Sequence, residues 1–135
     1  GLVSTLGDYA RFCQMMVSGG ELDGERILRP ETVDLMRTNV LPESFHLFSD
    51  GTSVNPDRAG HGFGLDFGVL VDPSATGTKM PAGTYYWGGA AGTWFWIDPV
   101  NDLFFIGMVQ LFPAGSMDNS FRKEAGDLVY EALQK

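Results

Sequence analysis

Residues 83–99, Gly83-Thr84-Tyr85-Tyr86-Trp87-Gly88-Gly89-Ala90-Ala91-Gly92-Thr93-Trp94-Phe95-Trp96-Ile97-Asp98-Pro99, crowd aromatic side chains around glycines in one strand-like run. Aromatic residues suit a pleated, half-buried surface, so the run belongs in a sheet. Glycine does not suit a strand, because it costs backbone entropy and offers no side chain to pack. Gly88, Gly89 and Gly92 set between aromatics therefore predict a strand whose backbone is approached closely by a ligand carbonyl or by another backbone. Two readings follow. One is an aromatic core strand with a bulge at the glycines. The other is an oxyanion-hole strand, in which a backbone N–H beside Gly89 faces negative charge developing on a substrate. The residues by themselves leave both open.

Working outward, Asp98-Pro99-Val100-Asn101-Asp102 predicts a tight turn into Leu103 to Leu111, an almost continuously apolar run. Such a run is expected of a central strand covered on both faces. Upstream, Phe63, Leu65, Phe67, Val69 and Val71 alternate with smaller or polar residues, which predicts a single half-buried strand from about Gly62. Asp72 to Ala82 reads as a loop. The three strands can pair as an antiparallel meander.

Helices flank them. Ser4 or Thr5 can cap a helix from about Gly7 to Ser18, with Leu6, Phe12, Met15 and Met16 as its apolar positions, and Gly19-Gly20 ends it. Pro30 opens a second helix to about Thr38. Residues 39–60 read as a long surface loop, and long loops are often functional. Asp118 or Asn119 caps a last helix to about Leu133, with Phe121, Ala125, Leu128, Val129 and Ala132 as its apolar face. The fold class is α+β: a three-stranded antiparallel meander with flanking helices and a C-terminal helix packed on the sheet. Three strands are few for a sheet with aromatics on both faces, so part of the sheet is expected to come from elsewhere.

A chain of 135 residues with 44% hydrophobic residues is sized and composed as one globular domain. Its net charge of −8 disfavours nucleic acid and anionic membrane as partners, since both require clustered Lys and Arg. No apolar run reaches the length of a transmembrane helix. Cys13 is the single cysteine, so no intrachain disulfide is possible and the redox compartment is left open. Gly1 to Thr5 carry no initiator Met, basic region or apolar signal core, so the chain is expected to be a piece of something longer.

Other candidate chemistry is sparse. Ser120-Phe121-Arg122-Lys123 is a literal Ser-x-x-Lys, the spacing that puts an ammonium one helical turn from a nucleophilic hydroxyl. It falls in the first turn of a solvated terminal helix and reads as coincidence. No Gly-x-Ser-x-Gly elbow is present. His46 and His61 are the only histidines, and with one cysteine they do not supply metal-ligand spacing. His61 between Gly60 and Gly62 reads as structural or solvent-facing, and Asp66 and Asp72 read as turn and solubility residues. Gly60 to Gly68 is glycine-rich but precedes no helix, so it makes a poor phosphate cradle.

Taken in order, several segments resemble the C-terminal part of the serine β-lactamase-like family, which contains class C β-lactamases, penicillin-binding proteins, D-amino-acid peptidases and related carboxylesterases. They are Gly1-Leu2-Val3-Ser4-Thr5 with Asp8-Tyr9-Ala10-Arg11-Phe12; Gly19-Gly20-Glu21-Leu22-Asp23-Gly24 with Leu28-Arg29-Pro30-Glu31-Thr32-Val33; Gly62 to Val69; and Trp87 to Thr93 with Trp96-Ile97-Asp98-Pro99. The resemblance spans essentially the whole chain and implies part of a β-lactamase-like, transpeptidase-like fold. It implies that Trp87-Gly88-Gly89 stands where many β-lactamases carry Lys-Thr-Gly. It also implies that Ala90 supplies one oxyanion-hole N–H, the other coming from a nucleophilic serine. By the same resemblance the Ser-x-x-Lys and Tyr-x-Asn motifs lie N-terminal to Gly1, so the N-terminal portion of the same protein is the expected partner. Carboxylic-ester hydrolysis through an acyl-serine is the expected chemistry, with a neutral ester favoured because Trp87 replaces a lysine. No cofactor or metal is implied, and the isolated chain is expected to be inactive. The alternatives are a non-catalytic binding module using the aromatic strand, or a β-lactamase, D-amino-acid peptidase or transacylase of the same family.

Overall fold

The computed structural model of the protein describes residues 3–42, 59–112 and 120–133. Helix α1, Leu6–Val17, starts where Thr5 Oγ1 accepts the Asp8 N–H at 3.2 Å and stops at two glycines. Gly20 must be glycine: its φ is 92°, and a Cβ there would lie 2.4 Å from the Leu28 carbonyl oxygen. Its own carbonyl accepts both the Ile27 and Leu28 N–H groups, closing a small hairpin of β1, Glu21–Leu22, and β2, Glu25–Arg26. Helix α2, Pro30–Met36, follows with proline in its first turn.

Five strands then form one antiparallel sheet in chain order: β3, His61–Phe63; β4, Gly68–Leu70; β5, Tyr85–Gly88; β6, Trp94–Asp98; and β7, Leu103–Gly107. A four-residue helix, α3, Pro73–Thr76, links β4 to β5, and α4, Ser120–Leu133, closes the described chain.

The expected three-stranded meander is thus corrected to five strands, with the α+β class kept. The run from Gly62 is two strands, because Gly64 N–H bonds the Phe67 carbonyl at 2.9 Å and Asp66 takes φ 72° in the turn between. Alternation carries on through such a hairpin, so periodicity alone does not reveal the fold-back. Residues 83–99 are likewise two strands, turning at residues 89–93. The apolar run Leu103 to Leu111 is a strand only to Gly107, and β7 is last in the sheet among the described residues rather than central. Among the described strands β6 is buried at every one of its positions, as is the shorter β4. At the opposite margin, residues 39–41 flank β3: Val40 N–H bonds the Phe63 carbonyl at 2.9 Å, and Asn39 Oδ1 accepts the Phe63 N–H at 3.1 Å.

Side chains alternate across the sheet as the period of two requires. Tyr85, Ile97 and Val69 join Cys13, Met16 and Val33 in the core under α1. Trp94 and Trp96 join Tyr130 in the core under α4. Trp96 stacks between Phe105 at 5.6 Å and Tyr130 at 5.7 Å between centroids. Gly107 pairs with Trp94, whose indole occupies the space a Cβ would need, at 2.3 Å. The inward face of α4 differs from the expected one. Leu128 is 66% exposed and Ala132 is exposed, whereas Ala125, Gly126, Val129 and Tyr130 turn to the sheet. The caps expected at Asp118 or Asn119, the break at Pro113 to Met117 and most of the loop 39–60 lie outside the described residues, as does the side chain of Phe121.

Asp98 locks this arrangement. Its carboxylate is fully buried and accepts the Val100 and Asn101 N–H groups at 2.8 and 3.1 Å, the Asn101 amide at 2.7 Å and the Tyr130 hydroxyl. A hydrogen bond to a charged group contributes about 1.5–3 kcal/mol. Tyr130→Phe is therefore expected to lower the unfolding free energy by about that amount in a urea titration; a loss within error would remove the lock from this account.

Burial also sets the alkaline behaviour. It pushes the Cys13 thiol up from 9.0 to about 12. It raises the Tyr9, Tyr85 and Tyr130 phenols above their ordinary 10.0, with the Asp98 bond adding to the effect at Tyr130. Each group is held neutral in the folded state, so its contribution is complete below the unfolded value and is lost as the pH rises toward the folded one. The urea midpoint is accordingly expected to be level below about pH 9 with respect to these groups and to fall above it. The Cys13 thiol should resist iodoacetamide at pH 8 until the chain unfolds. Rapid native-state alkylation would contradict this burial.

Candidate functional site

The sequence-predicted site, Trp87, Gly88, Gly89 and Ala90, spans the end of β5 and the tip of the β5–β6 hairpin. The ladder between these strands runs from Tyr85 with Ile97 to Gly88 with Trp94. On the other side β4 pairs only with Tyr85 and Tyr86. Trp87 and Gly88 therefore project beyond the end of β4, and the tip stands past the sheet.

Backbone hydrogen bonds define the tip. Gly89 N–H donates to the Thr93 carbonyl at 2.7 Å, and Gly92 N–H donates to the Gly89 carbonyl at 3.0 Å. Gly92 has φ 91°, the left-handed region glycine tolerates. Leu111 N–H bonds the Ala91 carbonyl at 2.9 Å, so the chain beyond β7 returns beside the tip. The Gly89 amide is thus committed within the turn. Ala90 and Ala91 are exposed, and among the described residues the Ala90 N–H has no backbone acceptor.

The close approaches that the glycines foretold come from this chain's own groups. A Cβ on Gly88 would lie 2.9 Å from Arg122 Nη1 and 3.2 Å from the Thr93 carbonyl oxygen. A Cβ on Gly89 would lie 2.5 Å from Thr93 Oγ1. The Arg122 guanidinium also sits 5.7 Å from the Trp94 ring centroid, in cation–π range. Trp87 is 39% exposed and packs edge-on against Phe63, with 5.3 Å between centroids.

No charged side chain occurs from Thr84 to Ile97 or from Leu103 to Phe112, so the tip and the strands behind it are uncharged and Arg122 brings a positive charge to them. Sequence reasoning missed Arg122, Thr93 and Phe63. Alternating aromatics mark a strand but do not say which distant helix will cover it.

The remaining candidates lie elsewhere. His61 Nδ1 and the Tyr86 hydroxyl are 2.7 Å apart, a half-buried pair across the sheet, with the Tyr86 ring filling the place of a side chain on Gly68. Asp72 caps α3, and its bonds from the Ser74 hydroxyl and N–H hold its carboxyl below the usual value. Asp66 forms the β3–β4 turn. Lys123 pairs with Asp127 at 2.6 Å on the exposed side of α4. The Ser120 side chain and His46 lie outside the described residues. Among the described residues no group of three or more His, Cys, Asp or Glu could hold a metal ion, and no helix is long and apolar enough to cross a membrane.

Because Gly92 holds the tip through a left-handed conformation, Gly92→Ala is expected to cost about 1–2 kcal/mol. A urea titration checks it, and an unchanged midpoint would place the turn's rigidity elsewhere.

Comparisons with known proteins agree with this architecture. A family model described as Beta-lactamase matches residues 1–127. An uncharacterized protein of Mycobacterium tuberculosis is 40% identical over 123 residues, which is 87% of this chain and 30% of that protein. Its counterpart from a second strain of that organism matches to the same extent. The chain therefore spans about a third of the length of these relatives. Among solved structures, EstCE1, a hydrolase with promiscuous acyltransferase activity, superposes with a TM-score of 0.67 at 24% identity, covering 87% of this chain and 27% of its own. A mutant of simvastatin synthase, LovD, from Aspergillus terreus superposes with a TM-score of 0.76 at 21% identity, covering 97% of this chain and 34% of its own. At these identities the structural likeness establishes the fold.

Proposed function

Because this chain belongs to the beta-lactamase family, we propose that it is the C-terminal portion of a serine hydrolase that cleaves carboxylic esters through an acyl-serine intermediate. The observation that carries the proposal is the hairpin tip beyond the end of β4, where Ala90 is exposed and its N–H has no backbone acceptor among the described residues. An amide so placed can stabilise the oxyanion formed when a serine oxygen attacks an ester carbonyl. The alcohol then leaves with a proton, and water releases the acid and regenerates the serine.

The serine, its lysine and the Tyr-x-Asn motif belong to the N-terminal portion in this proposal, and that portion is the partner of this chain. The outer edge of β7, which no strand pairs among the described residues, offers it a strand to bind. The uncharged Trp87 favours a neutral ester over a carboxylate-bearing β-lactam. EstCE1, a hydrolase with promiscuous acyltransferase activity, supports hydrolysis as the first choice and a transacylase of the same design as the nearest alternative.

A binding module without catalysis is the second reading. It is favoured by the contacts at Gly88 and Gly89, which Arg122 and Thr93 fill without a ligand.

Joining this chain to an N-terminal segment that carries Ser-x-x-Lys separates the two. The joined protein is expected to release p-nitrophenol from a neutral p-nitrophenyl ester and to form a stoichiometric serine adduct, and this chain alone is expected to form none. An adduct on the isolated chain, or none on the joined protein, overturns the proposal. In the joined protein, Trp87→Lys should shift preference toward carboxylate-bearing esters by about tenfold or more, the worth of one charge-assisted hydrogen bond.

A further inference from the structure

We infer that Arg122 is a positioning residue for the hairpin tip, holding the Gly88–Ala90 backbone at the setting that aims the Ala90 amide. The inference rests on the proposed use of that amide and adds a residue from a distant element to it.

Three observations converge. The guanidinium lies against the strand where Gly88 has no side chain, its Nη1 and Cζ 2.9 and 3.5 Å from the place of a Cβ. The same group covers the ring of Trp94, the register partner of Gly88 at the base of the tip. Arg122 thus touches both legs of the hairpin at the last ladder pair before the turn. The third observation is the helix itself. From Arg122 to Tyr130 is about 12 Å along a helix, and from Trp94 to Asp98 is about 13 Å along a strand. Helix α4 therefore follows β6 with one fastening at each end, Tyr130 on Asp98 and Arg122 on Gly88 and Trp94.

The two fastenings differ in what they fix. Tyr130 grips the β6–β7 turn, remote from the site, whereas Arg122 grips the pair from which residues 89–93 spring. A planar guanidinium, with its fixed fork and its affinity for an aromatic face, can brace two legs at once, and an ammonium cannot cover the same area. On this account Gly88 is glycine so that Arg122 can reach the strand. That replaces the expectation that its bareness serves a substrate.

The test uses Arg122→Met, which keeps the apolar stem, and Arg122→Lys, which keeps the charge, with Tyr130→Phe as the comparison at the other end of α4. Backbone amide exchange is measured in this chain. Arg122→Met is expected to speed exchange at Gly89 and Gly92 about tenfold, the order of one cation–π contact. Arg122→Lys should fall between, and Tyr130→Phe should leave those two amides unchanged relative to Trp96 and Ile97. Equal acceleration by Tyr130→Phe, or none by Arg122→Met, overturns the inference.

In the joined protein that carries the serine, Arg122→Met is expected to lower kcat about tenfold at unchanged KM. A raised KM at unchanged kcat would mean that the arginine binds substrate directly and would overturn the positioning role. If the wild-type joined protein has no esterase activity, the proposed function fails, and the exchange measurement still decides whether Arg122 holds the tip.

Discussion

The Asp98 carboxylate, buried at the end of β6, draws together elements that sequence distance keeps apart. It receives the N–H groups of the turn that follows it and the hydroxyl of Tyr130 from the last helix. A buried charge is tolerable only when its lone pairs are occupied, so the turn and the helix must both be in place. Once Tyr130 is docked, its ring stacks on Trp96, Trp96 stacks on Phe105, and the outer face of the sheet becomes a second core. The β6–β7 turn is fixed by the same contacts, while the Trp94 end of β6 is met by Arg122 from the other end of the helix. One carboxylate thus fastens one end of the helix whose other end reaches the base of the hairpin tip.

Much of this was legible in the sequence. The caps and stops of α1, the proline that opens α2 and the β6–β7 turn depend on nearest neighbours, and local chemistry fixes them. The family resemblance found the α+β class and the β-lactamase-like fold. The number of strands was not legible, because apolar alternation carries on through the Gly64 to Phe67 turn, and the small residues from Gly89 to Thr93 read equally as a bulge or close-approach site within one strand. The place of β7 was misjudged for a related reason. An apolar strand is apolar whether its coverage lies in the described residues or beyond them. The inward face of α4 was misjudged because Leu128 is more hydrophobic than Gly126, yet Gly126 is what allows Met80 to pack closely.

The site residues divide in the same way. Trp87 to Ala90 were identifiable as an unusual strand end from glycine among aromatics. Their neighbours Arg122 and Phe63 were not, since neither carries any mark in its own segment. The glycines proved to have physical visitors, as expected, but the visitors near Gly88 and Gly89 are a guanidinium and a threonine. Ala90 is exposed at the tip, and its N–H has no backbone acceptor among the described residues. Its role in acyl transfer is a proposal that a serine supplied from elsewhere in the protein would complete.

Gly107 and Trp94 have a consequence for how such a protein can change over generations. The indole of Trp94 fills the space above Gly107, the guanidinium of Arg122 lies on that indole, and the same guanidinium fills the space above Gly88. Two glycines, a tryptophan and an arginine from four elements therefore make one inherited set. A descendant that gained a side chain at position 107 would displace the indole and unseat the arginine, and the need for glycine at position 88 would lapse. Across divergent descendants these four positions should change together or not at all.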